Sequence, residues 1–367
     1  MTQRGNSRRR QDYSQLLIPL AALGILILFN LIRGLAIGDL RFFSIGTRVN
    51  NDGNTVLAGN LISIVDDASA LAIIAMGMTL VTAACGGQDI SVGALGAISG
   101  AVYVKVLDAF GLDNITAGSV IVALLASCAV TVLFSLFNGT LVSVFKIQPM
   151  IATLILFSCG RSIAYMITGS ATPQLSGTLI NSIGKTIPGI PIPTPIFLVI
   201  IMALLLTLIF KVTNLRLYTQ TVGINQGAAR LNGINPTIIK LLSFVILGLC
   251  VSVAAMIQVC RLNQLSHKTL LDAIEMDAIL AVAIGGNSLG GGKFRLLGSI
   301  LGAYIILMLT NTLNDMSVKP DSIKAYKAIV IIIIVIAGSP AVKEKISSAW
   351  NRIRAGSKKI TAGRQEA

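Results

Sequence analysis

The sequence predicts an all-α polytopic membrane protein with about ten transmembrane segments, some broken or re-entrant, and a weak internal repeat. Three observations predict it. Of the 367 residues, 54% are hydrophobic and only 12% charged, about half the charge of a soluble globular domain. The apolar residues fall in runs of about 20, the length that crosses a bilayer core as a helix, with brief polar loops between them. The 29 lysines and arginines outnumber the 15 acidic residues, for a formal net charge of +14. They gather at the two ends and in one central loop, which is how topology is fixed, and not on an aromatic-studded face that would hold nucleic acid.

In chain order the spans are expected at Leu16 to Ile32, Leu61 to Ala84, Val92 to Phe110, Ser119 to Phe137, Ile151 to Thr168, Thr194 to Val212, Ile239 to Cys260, Met276 to Ile284, Leu297 to Leu313 and Ile323 to Gly338. The eighth and tenth are too short to be simple spanning helices. The first follows Arg4, Arg8, Arg9 and Arg10, as a signal peptide would, yet it is long for one and lacks a small-x-small cleavage site, so it reads as a membrane helix. An even number of spans puts both termini on one side. The Arg-rich start and the tail with Lys343, Lys345, Arg352, Arg354, Lys358, Lys359 and Arg364 both call for the cytoplasm, and alternation brings the central loop there too.

The domain plan is therefore a cytoplasmic basic N-terminus over 1–15, a transmembrane domain over 16–338 with a cytoplasmic loop at 214–240, and a cytoplasmic basic tail over 339–367. Arg33 to Asn60, Gly111 to Gly118, Gly169 to Pro193, Arg261 to Glu275 and Asn314 to Ser322 fall on the opposite side. Pro188, Pro191 and Pro193 predict an ordered loop rather than a helix for Gly169 to Pro193.

The central loop, Asn214 to Lys240, holds Arg216, Arg230 and Lys240 with no acidic residue. Its small-residue segment Gln226 to Leu231, closed by Gly233 and the Asn235-Pro236 breaker, predicts a short helix built to touch another molecule.

Two stretches look alike. Gly86-Gly87-Gln88-Asp89-Ile90-Ser91 precedes a helix with Gly96 and Gly100, and Gly285-Gly286-Asn287-Ser288 precedes one with Gly298 and Gly302. Each is a GG-led polar break followed by GxxxGA. Unwound backbone survives at membrane depth only where protein buries it or a wet cavity meets it, and transporters repeat such breaks in two halves. Gly86, Gly87, Asp89, Ser91, Gly285, Gly286, Asn287 and Ser288 are thus candidate pathway residues. The GxxxG pairs allow close helix approach, within one subunit or across a dimer.

Among the charges, Asp89 would cost about 3 kcal/mol unpaired at a helix centre, so it caps the helix starting near Ser91, fixes the GG turn near the pathway or its cytoplasmic mouth together with Ser91, or does both. Arg161, the remaining candidate pathway residue, sits inside the fifth span and calls for an internal carboxylate such as Asp89, a polar cavity, or a snorkelling position. Glu275 and Asp277 read as interfacial residues of an external loop, with a proton relay as the sharper alternative. His267, the one histidine, and the five cysteines offer no metal-ligand spacing; the histidine reads as a surface residue and the cysteines as small buried hydrophobes. Gly286 to Phe294 imitates a phosphate loop but has Asn287 at its first glycine position and Phe294 after Lys293, so no nucleotide binding follows. With no GxSxG and no HExxH, neither catalysis nor a bound cofactor or metal is expected of this chain.

Taken together, GMTLVTAACGGQDISVGA from Gly77, KIQPMIATLILFSCGR from Lys146, VGINQGAARLNGIN from Val222 and EMDAILAVAIGGNSLGGGKFRLLGSILGA from Glu275 resemble the permease subunit of the bacterial ABC importers for ribose, galactofuranose and related simple sugars. The resemblance extends roughly from Leu71 to Ala337. It implies a multi-pass subunit of the bacterial cytoplasmic (inner) membrane, paired with a second permease, with cytoplasmic ABC ATPases that bind ATP and Mg, and with a periplasmic or lipid-anchored sugar-binding protein. It also implies that Asn225, Gln226, Gly227, Ala228, Ala229, Arg230, Leu231 and Gly233 couple the subunit to the ATPase, the two alanines allowing close approach and Arg230 meeting an acidic or carbonyl-lined groove. The rival is an ion-coupled secondary transporter of a small polar solute using Asp89, Arg161 or Asp277.

Overall fold

The computed structural model describes residues 2–38, 41–49, 55–112, 115–169 and 172–338; the basic tail over 339–367 lies outside them. Among the described residues thirteen α-helices follow in order: α1 (Thr2–Ile37), α2 (Asn60–Cys85), α3 (Val92–Phe110), α4 (Ala117–Ser143), α5 (Pro149–Thr168), α6 (Thr178–Gly184), α7 (Thr194–Thr213), α8 (Leu215–Ile224), α9 (Gln226–Leu231), α10 (Pro236–Leu262), α11 (Ile274–Ile284), α12 (Leu296–Asp315) and α13 (Pro320–Gly338). Every apolar run expected to span falls in a helix. Among the described residues, eight of these are long and apolar enough to cross a membrane. The other two are α11, only 11 residues long, and α13, which carries Lys324 and Lys327.

Local chemistry explains most boundaries. Pro149, Pro195 and Pro236 stand in the first turn of α5, α7 and α10, where the missing N–H has no helical partner to lose. Thr116 and Ser119 form a reciprocal capping box at α4. Gly86 and Gly169 end α2 and α5 in the left-handed conformation.

The subunit is built around α2, almost wholly buried, whereas α1, α4, α5 and α7 turn most of their surface outward. Outward-facing Leu125, Leu154, Leu204 and Leu208 suit hydrocarbon surroundings. Because lipid gives apolar side chains no incentive to leave it, such helices associate through small residues and buried hydrogen bonds. Gly77 brings α2 against Leu247 and Cys250 of α10, and Gly139 brings α4 against Phe244. Along α4, Ser127, Thr131, Ser135 and Asn138 are all fully buried, and the hydroxyl of Ser252 on α10 meets both Ser99 at 3.2 Å and Ser127 at 3.0 Å. Both GxxxG pairs pack inside the subunit: Gly96 and Gly100 meet Leu271 and Leu270, while Gly298 and Gly302 meet the backbone of Gly285 and Ala281.

Two loops hold structure that the sequence reading did not anticipate. The segment before α2 forms an antiparallel hairpin, β1 (Gly46–Val49) with β2 (Thr55–Ala58), and Arg33, a basic residue at odds with its expected side, pairs with Asp315 at 2.7 Å. Contrary to the loop expected over Gly169 to Pro193, α6 forms there, because Ile180 and Gly184 are buried and Gly184 lies directly on the Cys260–Arg261 backbone of α10. Tertiary packing stabilises a helix whose own length gives it little stability.

Candidate functional site

The first break runs from Gly86 to Ser91. Asp89 is fully buried, and its Oδ1 accepts from the Ser91 amide at 2.7 Å and from the Ser91 hydroxyl at 2.6 Å. Asn138 of α4 donates to the same hydroxyl at 2.9 Å. Among the described residues the second Asp89 oxygen has no hydrogen-bond partner. Ser91, not Asp89, is the residue directly before α3, and no side chain caps that helix; Asp89 instead closes a turn onto the amide two residues on, near the positive end of the helix dipole. The amide of Ile90 donates to Thr153 at 3.2 Å, and Gly87 lies against the Pro149 ring.

The second break, between α11 and α12, is closed by an amide instead. Asn287 donates to the Val282 carbonyl at 3.2 Å, the Arg295 carbonyl at 3.2 Å and the Ser299 hydroxyl at 2.8 Å, and accepts from the Arg295 amide at 2.7 Å. It thereby ties the end of one helix to the start of the next. Gly286, Gly291 and Gly292 have φ of 80°, 92° and 77°, conformations that glycine adopts without a Cβ penalty.

The fold brings these two stretches together. Gln88 donates to the Leu289 carbonyl at 3.1 Å, the Gly292 amide donates to the Ala83 carbonyl at 3.0 Å, and Gly86 sits on Gly290 and Gly291. The end of α8 closes on the same place. Beyond it, Asn225 caps α9 by accepting from the Ala228 amide at 3.0 Å, and Gly233 has φ of 76° just past its end. Asn225, Gln226, Gly227, Ala228, Arg230, Leu231 and Gly233 are exposed, with the Leu231 side chain 92% open. Ala229, expected to face a partner, is instead fully buried and turns toward its own subunit: on a helix of six residues only one face is outward.

Arg161 meets neither Asp89 nor open surface. Its guanidinium donates to the carbonyls of His267 at 3.0 Å, Lys268 at 2.9 Å, Leu270 at 3.2 Å and Leu271 at 3.4 Å, and Asp272 stands 3.7 Å away. The loop it holds dips inward. Leu270 lies on Gly100, Leu271 on Gly96 and Glu275 on Gly93, so the chain descends antiparallel to α3, and Leu271 and Ala273 take φ of 51° and 59° to do so. Two expectations change as a result. His267 is buried, edge-on to Tyr165 at 5.0 Å, and Glu275 is buried against α3 rather than interfacial. Asp277 forms two contacts of 2.8 Å with Lys327. A cavity of about 230 Å3 opens beside this loop, lined by Asp67, Leu71, Gln258, Thr269, Asp272 and Asp277 among others; neither break lines it.

The reading missed Asn138, Gln258 and Asp272, polar residues with no motif around them. Asn138 did carry a signal: it continues the spacing of Ser127, Thr131 and Ser135 along one face of α4.

Known proteins give this geometry a context. A family model described as "Branched-chain amino acid transport system / permease component" matches residues 60–338. The galactofuranose transporter permease protein of Escherichia coli (strain K12) is 35% identical over 283 residues, 77% of this chain and 80% of the relative. The fructose import permease protein of Bifidobacterium longum (strain NCC 2705) is 33% identical over 317 residues, 86% of each. The ribose import permease protein of Escherichia coli (strain K12) is 33% identical over 290 residues, 77% of this chain and 86% of the relative. No solved structure matches.

Proposed function

The chain belongs to the permease-component family matched over residues 60–338, and we propose that it is the membrane subunit of an ATP-driven ABC importer for a simple sugar. Relatives named for galactofuranose, fructose and ribose share a small, neutral, hydroxyl-dense cargo, a pentose or a hexose. The subunit pairs with a second permease in the bacterial inner membrane, both termini cytoplasmic, and receives sugar from a binding protein outside. ATP and Mg are handled by the ATPase, whose closure biases the membrane halves between inward and outward openings.

The observation that carries this reading is the exposed, capped helix α9, held beside both breaks by α8. Its outward face, with Gln226, Ala228, Arg230 and Leu231, is the ATPase contact: Leu231 supplies an apolar anchor and Arg230 a forked donor for carbonyl or carboxylate groups. The breaks, from Gly86 to Ser91 and Gly285 to Ser288, are the parts that move with it. Leu231→Asp should abolish co-purification of the ATPase while the permease still inserts in the membrane; an intact complex sinks the assignment.

Ion-coupled transport finds less support. Asp277 is bound to Lys327, Asp89 to Ser91, and Arg161 to four carbonyls and Asp272. Sugar uptake into vesicles that tracks a proton gradient without ATP would favour it.

A further inference from the structure

Gly223, next to last in α8, occupies a place where no side chain fits. A Cβ there would fall on the Ala83 carbonyl oxygen and 2.6 Å from the Gly292 amide, two groups already hydrogen-bonded to each other at 3.0 Å. Ala83 lies just before the first break, and Gly292 in the loop that carries the second on to α12. A Cβ on Gly292 would stand 2.7 Å from Ile224, and one on Gly291 would stand 3.0 Å from the Gly86 Cα and 3.3 Å from the Gly223 carbonyl oxygen. Three remote segments thus meet backbone to backbone. Gly223 is inside a helix and has no positive φ, so its conformation does not call for glycine, which is destabilising there relative to alanine. Close approach does.

We propose that Gly223 is a positioning residue that turns α8 into a bearing, carrying displacement of α9 to both breaks at once. A side chain with rotatable bonds would absorb a small shift, whereas close-packed backbone passes it on. One residue beyond Ile224, Asn225 caps α9, so little slack separates the exposed helix from the contact. The proposal rests on the assignment of α9 to the ATPase.

The test uses the whole importer: permease, ATPase and the importer's own binding protein, loaded in turn with ribose, fructose and galactofuranose. Gly223→Ala and Gly223→Val should leave ATPase co-purification within about twofold of wild type while stimulation of ATP hydrolysis by the loaded binding protein falls about tenfold, within the usual span of site-to-site coupling. A purely structural role would lower the amount of complex without moving the ratio of stimulated to basal hydrolysis. Unchanged stimulation in an assembled Gly223→Val complex overturns the bearing. If neither variant accumulates, Ile224→Ala decides, since it shortens a side chain that is 75% exposed: stimulation should fall about threefold with the complex intact, and an unchanged ratio overturns the proposal. Leu231→Asp separates the two readings. Loss of the ATPase there, with full stimulation in the Gly223 variants, removes the bearing alone; retention of the ATPase removes the assignment beneath it.

Discussion

The two breaks do similar work with different side chains. In the first, Asp89 accepts from its near neighbour Ser91, closing a short turn before α3. In the second, Asn287 reaches five residues back and twelve forward, using donors and acceptor together. A carboxylate only accepts, so it suits a site that presents N–H and O–H groups. A carboxamide does both, so it suits a site that presents carbonyls as well. The glycines that follow differ in parallel: Gly96 meets the far end of a leucine side chain, Gly302 meets backbone. The first break is a local turn on a compliant neighbour, the second a rigid clasp.

Exchanging the two side chains tests this contrast most severely. Asn287→Asp would aim a carboxylate at two carbonyl oxygens in a buried site, and should lower stability by at least about 3 kcal/mol, read as thermal unfolding of the detergent-solubilised subunit; a change no larger than that of the reciprocal exchange would mean the clasp is not rigid. The glycines come next. Gly302→Ala should cost about 2–3 kcal/mol by overpacking against Ala281, while Gly96→Ala stays near 1 kcal/mol because a leucine tip can move; equal losses in the same assay would erase the distinction. Asp89→Ala strips the acceptor from two donors and should cost about 2 kcal/mol. Smallest is Asp89→Asn, which keeps that acceptor and should cost less than about 1 kcal/mol. Sugar uptake in cells carrying Asp89→Asn should therefore stay near wild type, and a complete loss would give the Asp89 charge a role in transport beyond closing its turn.

The sequence made the helices and both breaks legible for the same reason: hydrocarbon tolerates little but long apolar helices, so every departure stands out. The GG pairs and the α9 segment each have a local signature, and each appears in the fold, whereas Asp89 closes a turn ahead of α3 and does not cap it. Partnerships made through carbonyls have none. Arg161 binds four backbone oxygens that any residues would supply, so no side chain in the sequence marks its partners. Glu275 and His267 read as surface residues because the loop holding them was expected to stay outside. Its inward path depends on Arg161 and on gaps at Gly93, Gly96 and Gly100, which lie more than a hundred residues away in sequence. Gly223 stands outside every motif read from the sequence; its contact with Ala83 and Gly292 explains it.

The grip of Arg161 on backbone oxygens has a consequence for adaptation. A loop held by its own side chains must keep them, and its recognition chemistry is fixed with its shape. Here the shape is set largely from α5, while Lys268 and Thr269 are exposed. Those two positions can change without unmaking the turn that presents them.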